Sequence, residues 1–80
     1  MLSMLASSNR VAGVKQSGKA VREGRAARVF LARDADPAIT EPMEEECAVR
    51  GVPVETEFTL AELGRACRIS VGAAVAVILK

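Results

Sequence analysis

Eighty residues with a formal net charge of +1 make room for one small core, so residues 1–80 read as a single domain. Half of the residues are apolar and 26% are charged, which is a globular composition, while only 2% are aromatic, so the core must be aliphatic. With no His, Trp or Tyr, the chain lacks the commonest general base, a frequent zinc ligand and most stacking surface, which argues against an enzyme and against a metal or other cofactor.

The small net charge hides a strong segregation. Residues 1–33 carry seven cations (Arg10, Lys15, Lys19, Arg22, Arg25, Arg28, Arg33) against Glu23 alone, a net +6. Residues 34–62 carry nine carboxylates against Arg50 alone, a net −8, and the three cations after them restore +3. A domain polarised in this way can steer a polyanion to one surface.

In chain order, Met1–Ser8 could form a short amphipathic helix. Its apolar run is too short for a signal peptide or a membrane span, so a cytoplasmic protein with no membrane partner is expected. Arg10–Gly13 reads as a brief strand ending at a glycine turn. A helix follows from about Lys15 to Glu23, with Gly24 suited to its left-handed C-terminal position. Lys15, Lys19 and Arg22 share one face of this helix, at i, i+4 and i+7, while Val14, Gly18 and Val21 share another. Three cations beside a helix N-terminus suit phosphate, because the first N–H groups there lack partners and the helix dipole is positive. The plainer alternative is a solvated amphipathic face. Gly18 inside the helix costs about 1 kcal/mol against Ala, which predicts close packing or close ligand approach there.

Arg28–Arg33 is continuously apolar at its centre, as in a strand covered on both faces. Asp34–Pro37 reads as a strand-to-helix turn with Asp36 able to cap. Pro42 then predicts that the regular helix begins only at about Glu41 or Pro42 and runs to Arg50, with Gly51 past its end. Glu44, Glu45 and Glu46 read as its solvated acidic face. Val52–Thr56 is a short strand. Thr59-Leu60-Ala61-Glu62 is a capping box and Phe58 and Leu63 stand at the hydrophobic-staple positions, which predicts a helix from Leu60 to about Cys67. Ala73–Leu79 reads as a buried last strand. Cys47 and Cys67 have no zinc-site spacing and read as reduced core residues, with a disulfide as the alternative.

Alternating helices and strands predict an α/β fold: a three-layer α/β/α sandwich around a mixed, mostly parallel four-stranded sheet, with the short first strand able to pair antiparallel. In such folds, loops distant in sequence converge beyond one end of the sheet.

Three ordered blocks then carry a family resemblance: Gly13-Val14-Lys15-Gln16-Ser17-Gly18-Lys19-Ala20, Ala32-Arg33-Asp34-Ala35-Asp36-Pro37, and Glu62 through Ala74. From about Val11 to Leu79 the chain resembles the L-seven-Ae family of ribosomal and kink-turn-binding proteins, above all its short stand-alone bacterial members. The resemblance implies an α/β/α sandwich that binds kink-turn RNA, a sharply bent helix with a short bulge beside tandem sheared G·A pairs. The implied partner is ribosomal RNA or a riboswitch, with the ribosome as a further partner and the protein a monomer when free. In the family pattern Gly-x-Asn-Glu-x-x-Lys faces the G·A pairs; Gly13 and Lys19 match it, while Lys15 stands at the Asn and Gln16 at the Glu. Lys15 can donate but not accept, and Gln16 gains donors while losing a charge. The resemblance also implies that Ile69-Ser70-Val71-Gly72-Ala73 packs against an extruded nucleotide, although without it Ile69 and Val71 would read as core. Arg65 and Arg68, on the helix before that loop, are candidate phosphate contacts, with solvated surface as the alternative, and Arg22 and Arg33 are further candidate RNA-binding residues. The alternative function is a ribosome-associated protein-interaction module working through the acidic helix.

Overall fold

The computed structural model describes residues 9–69 and 71–80, so the helix expected over Met1–Ser8 and the candidate Ser70 lie outside the described residues. Among the described residues seven elements follow one another: β1 (Arg10–Ala12), α1 (Val14–Arg22), β2 (Ala26–Leu31), α2 (Pro37–Arg50), β3 (Val54–Glu55), α3 (Leu60–Ala66) and β4 (Val75–Leu79).

The last strand is the centre of the packing. Val75, Ala76, Val77 and Ile78 are all buried, and their side chains alternate between two cores because successive strand residues point to opposite faces. Val75 and Val77 join Val29 and Leu31 of β2 beneath α1 and α2, where Ala20, Val21, Met43 and Cys47 close the first core. Ala76 and Ile78 join Phe30 and Ala32 beneath α3, where Leu63 and Cys67 close the second. The chain's two aromatic rings, Phe30 and Phe58, meet in that second core with centroids 6.0 Å apart. Helices on both faces of one sheet make the expected three layers.

The strand order is β1-β4-β2-β3. The sheet is mixed, as expected, but its expected parallel majority is corrected: only β2 and β3 pair parallel, whereas β4 pairs antiparallel with both β1 and β2. The reason lies in how the chain leaves α3. The Leu60 N–H donates to the Asp34 carboxylate (2.8 Å) just past the end of β2, so α3 begins at that end of the sheet. The Ala73 N–H then donates back to the Leu60 carbonyl (3.1 Å), so the chain enters β4 from the end where α3 started. Alternation of helix and strand in sequence cannot register such a return.

A second correction concerns α2. It begins at Pro37, capped by the Asp36 carboxylate on the Ala38 N–H (2.9 Å), and continues through Pro42. A proline inside a helix removes one hydrogen bond, here the one to the Ala38 carbonyl, and both residues are exposed, so water can take its place. Gly24 and Gly51 close α1 and α2 with φ of 73° and 68°, as their positions predict. β3 is shorter than the expected Val52–Thr56. Besides its ladder to β2 it is held by the Arg28–Glu55 ion pair (2.7 Å), and the Pro53 carbonyl accepts from the Val29 N–H.

Cys47 and Cys67 are free and fully buried on opposite faces of the sheet, which removes the disulfide alternative. Burial pushes the Cys47 thiol up, with Glu46 and Glu44 adding to it; burial likewise raises Cys67, against the lowering pull of Arg10. Since the thiolate is the reactive form, neither cysteine should react with a thiol reagent such as DTNB in native protein, and both should react in urea. Rapid native labelling of either would show that its core opens.

Candidate nucleic-acid interface

Four separate pieces of chain meet at the end of the sheet where β2 and β3 finish and β4 begins. Gly13, the residue before α1, donates its N–H to the Val75 carbonyl (2.9 Å), which fixes the helix start beside the start of β4. The Ala32 N–H donates to the Ala74 carbonyl (2.9 Å), and the Arg33 N–H donates to the Phe58 carbonyl (2.8 Å). The start of α1, the exit from β2, the entry to α3 and the loop before β4 thus share one rim. Gly13 has φ 99°, a backbone conformation open in practice only to glycine, and nothing lies within 4 Å of where a side chain would begin.

The three helix starts differ in chemistry. Asp36 caps α2, and Thr59 caps α3 in a complete capping box: the Glu62 N–H donates to the Thr59 hydroxyl (3.1 Å) and the Thr59 N–H to the Glu62 carboxylate (2.9 Å). No side chain caps α1, and no acidic residue stands in its first turn. Its exposed face carries Lys15, Lys19 and Arg22, as expected from their spacing, with Gln16 exposed beside them. Among the described residues, Lys15, Lys19 and Arg22 have no carboxylate partner, whereas Arg25, Arg28 and Arg50 are paired with Glu23, Glu55 and Glu46. An uncapped helix start with unpaired cations is a surface prepared for anions.

The other side of the rim is apolar. Ile69 and Val71 are 41% and 68% exposed, so they are surface residues and not the core residues that their composition alone suggests. Gly72 is exposed beside them, while Ala73 turns into the second core. The loop owes its position to a residue whose role the sequence reading missed. A Cβ at Gly64 would stand 2.2 Å from the Val71 carbonyl oxygen and 3.1 Å from the Gly72 Cα, so only glycine lets α3 carry the loop backbone against its side. The Ile69 N–H donates to the Gly64 carbonyl (3.0 Å), and Gly72 rests on Leu60. A glycine in the interior of a securely capped helix was the available signal.

Arg33 and Arg65 are exposed, and both lie within electrostatic reach of Glu62. The Glu62 carboxyl is held below the usual glutamate range, chiefly by the backbone N–H of Thr59, then by the Thr59 side chain, Arg33 and Arg65. Arg68, at the end of α3, holds φ 62°, the one positive value among the described non-glycine residues. Arg22 lies apart from the rim, its guanidinium drawn back along α1 over Gly18. Among the described residues no three His, Cys, Asp or Glu side chains gather to hold a metal ion.

Comparison with known proteins bears on this surface. Residues 2–80 match the family described as ribosomal protein L7Ae/L30e/S12e/Gadd45. The chain is 41% identical over 70 residues to RNA-binding protein YbxF of Geobacillus stearothermophilus, covering 88% of this chain and 85% of that protein. It is 42% identical over 67 residues to an RNA-binding protein of Caldanaerobacter subterraneus, covering 84% and 82%. Among solved structures, the Giardia lamblia 15.5kD RNA binding protein superposes with a TM-score of 0.91 at 33% identity, over 99% of this chain and 70% of that one.

Two outcomes follow from the rim's construction. Gly64→Ala drives a methyl into backbone that cannot swing aside, and should lower stability by about 1–3 kcal/mol in urea titration despite Ala's better helix propensity. Because Glu62 titrates lower in the folded chain than in the unfolded one, its contribution is complete above the ordinary glutamate value and is lost as pH falls through the folded value. Glu62→Gln should therefore flatten that acid-side loss of stability, and a profile identical to wild type would refute the capping role.

Proposed function

Because the chain belongs to the ribosomal protein L7Ae/L30e/S12e/Gadd45 family, we propose that it is a non-enzymatic RNA-binding protein that recognises the kink-turn. The observation that carries this reading is the hydrogen bond from the Gly13 N–H to the Val75 carbonyl, which sets an uncapped cationic helix start beside an exposed apolar loop. A kink-turn offers what each half lacks. Its bent backbone supplies phosphates and opens the G·A edges to Lys15, Gln16 and Lys19, and its extruded nucleotide supplies an unstacked face for Ile69 and Val71. The deep groove of regular A-form RNA resists side chains, so entry there depends on the bend, and the protein shifts the RNA toward its kinked state by binding that state better.

The names of the relatives support RNA as the partner, and ribosomal RNA or a riboswitch is the class of target we infer. Gly13 and Lys19 hold the positions that the family pattern assigns to contact with the G·A pairs. Lys15 and Gln16, in place of Asn and Glu, exchange acceptors for donors, which favours guanine O6 and N7 and nearby phosphate. Arg33 and Arg65 supply phosphate contacts on the far side of the rim, beside Glu62. With RNA as the partner, we infer a cytoplasmic protein, monomeric when free. No helix among the described residues is long and apolar enough to cross a membrane.

The test is a titration at fixed salt of one standard kink-turn against the same RNA with its G·A pairs changed to Watson–Crick pairs. Wild type should prefer the former, and Lys19→Ala should weaken that binding roughly tenfold and reduce the salt slope by about one. Val71→Asp should injure binding without moving the urea midpoint, since the side chain is 68% exposed. Equal affinity for the two RNAs would overturn the reading.

A further inference from the structure

Beyond the rim, α1 and α2 flank a groove of about 440 Å³ that shares only Lys15 with the surface of the kink-turn reading. Gly18 forms part of its floor and Met43 lies beneath; a Cβ at Gly18 would stand 3.6 Å from the Met43 Cε and 3.1 Å from the Arg22 guanidinium. Gly18 has helical backbone geometry and gains nothing there from glycine's freedom. Its missing side chain instead lets Arg22 fold back along the helix, toward Lys15, to face the groove. Two apolar side chains stand at the mouth, Val14 at 42% and Ile39 at 36% exposure.

The charge of the groove decides what fits it. Lys15 and Arg22 line it without a carboxylate partner among the described residues, although Glu46 lines it too. Glu46 is paired with Arg50, 3.5 Å away along α2, which offsets part of its charge at the groove. A bare apolar floor, an apolar mouth and two unpaired cations match a ligand that is flat and apolar on one part and anionic on another. An unstacked nucleotide has that chemistry: phosphate for the cations, and a base face for Val14, Ile39 and Met43.

We propose that this groove binds one unpaired nucleotide of the bound RNA, from the strand that runs past the kink-turn along α1. The proposal rests on the kink-turn reading, because Lys15 belongs to both surfaces and the two are continuous through it. From Lys15 to Arg22 is about 10 Å along the helix axis, so a strand leaving the rim reaches the groove without losing contact with the protein. The groove thus extends the recognised RNA beyond the kink-turn and selects targets with a single-stranded flank.

The experiment compares two RNAs by fluorescence anisotropy: a minimal kink-turn, and the same RNA carrying about four unpaired uridines at each strand end in turn. Wild type should bind one extended RNA about tenfold more tightly than the minimal one. Ile39→Ser should abolish that increment and leave affinity for the minimal RNA unchanged; circular dichroism and the urea midpoint establish that it folds. Equal binding of minimal and extended RNAs by wild type overturns the groove proposal and leaves the kink-turn reading standing. An increment that survives Ile39→Ser also overturns it, as does a poly-glutamate peptide that binds wild type and is lost in Ile39→Ser. Failure of wild type to prefer the kink-turn over its Watson–Crick counterpart brings down the reading beneath it, and the proposal with it.

Discussion

A single close approach organises this molecule: the backbone at Val71 and Gly72 lies directly against α3 at Gly64, nearer than any side chain permits. With the loop pressed there, the Ala73 N–H reaches the Leu60 carbonyl and the chain is returned to the end of the sheet from which α3 departed. β4 must then run antiparallel between β1 and β2. Its first carbonyl, at Val75, receives the Gly13 N–H, and so the start of α1 on one face of the sheet is fixed by packing on the other. Exposed apolar residues in a loop usually favour collapse; here the helix beneath gives Ile69 and Val71 a defined backbone while leaving their side chains outside.

How much of this was legible follows from the range of the forces involved. Capping is local, so Thr59, Glu62 and Asp36 announce their helices in three or four letters, and the left-handed glycines at 24 and 51 do the same for helix ends. Continuous apolar runs identify β2 and β4 as strands buried on both faces. The direction of β4 was not legible, because it depends on the return of a loop across α3. Nor was the passage of α2 through Pro42, since the loss of one exposed hydrogen bond is small beside the burial of Met43 and Cys47 on the same helix. The blocks that carry the family resemblance located the rim, but the exposure of Ile69 and Val71 required the fold. Gly64 was visible as a letter and silent as a role, because its neighbour in space lies seven residues away around a turn.

The electrostatic division of the chain is expressed as a division of surfaces. Cations next to carboxylates are spent on local ties: Arg28 with Glu55 across the β2–β3 edge, Arg25 with Glu23 at a turn, and Arg50 with Glu46 along α2. Those of α1 are left unengaged among the described residues, on the one helix whose start has no side-chain cap. Leaving charges and N–H groups unsatisfied forgoes a small stability increment at each site. It also keeps them available to a ligand.

The outer strands of the sheet are very short: three residues in β1 and two in β3. A long bare edge would offer a ladder of open amides and carbonyls on which another chain could add itself as a new strand. Here the strongly apolar β4 and β2 lie inside, and the flanks offer too few rungs to template such growth. Although Ile69 and Val71 hold oily side chains in water, the edges of the sheet thus offer little backbone for a second copy to extend.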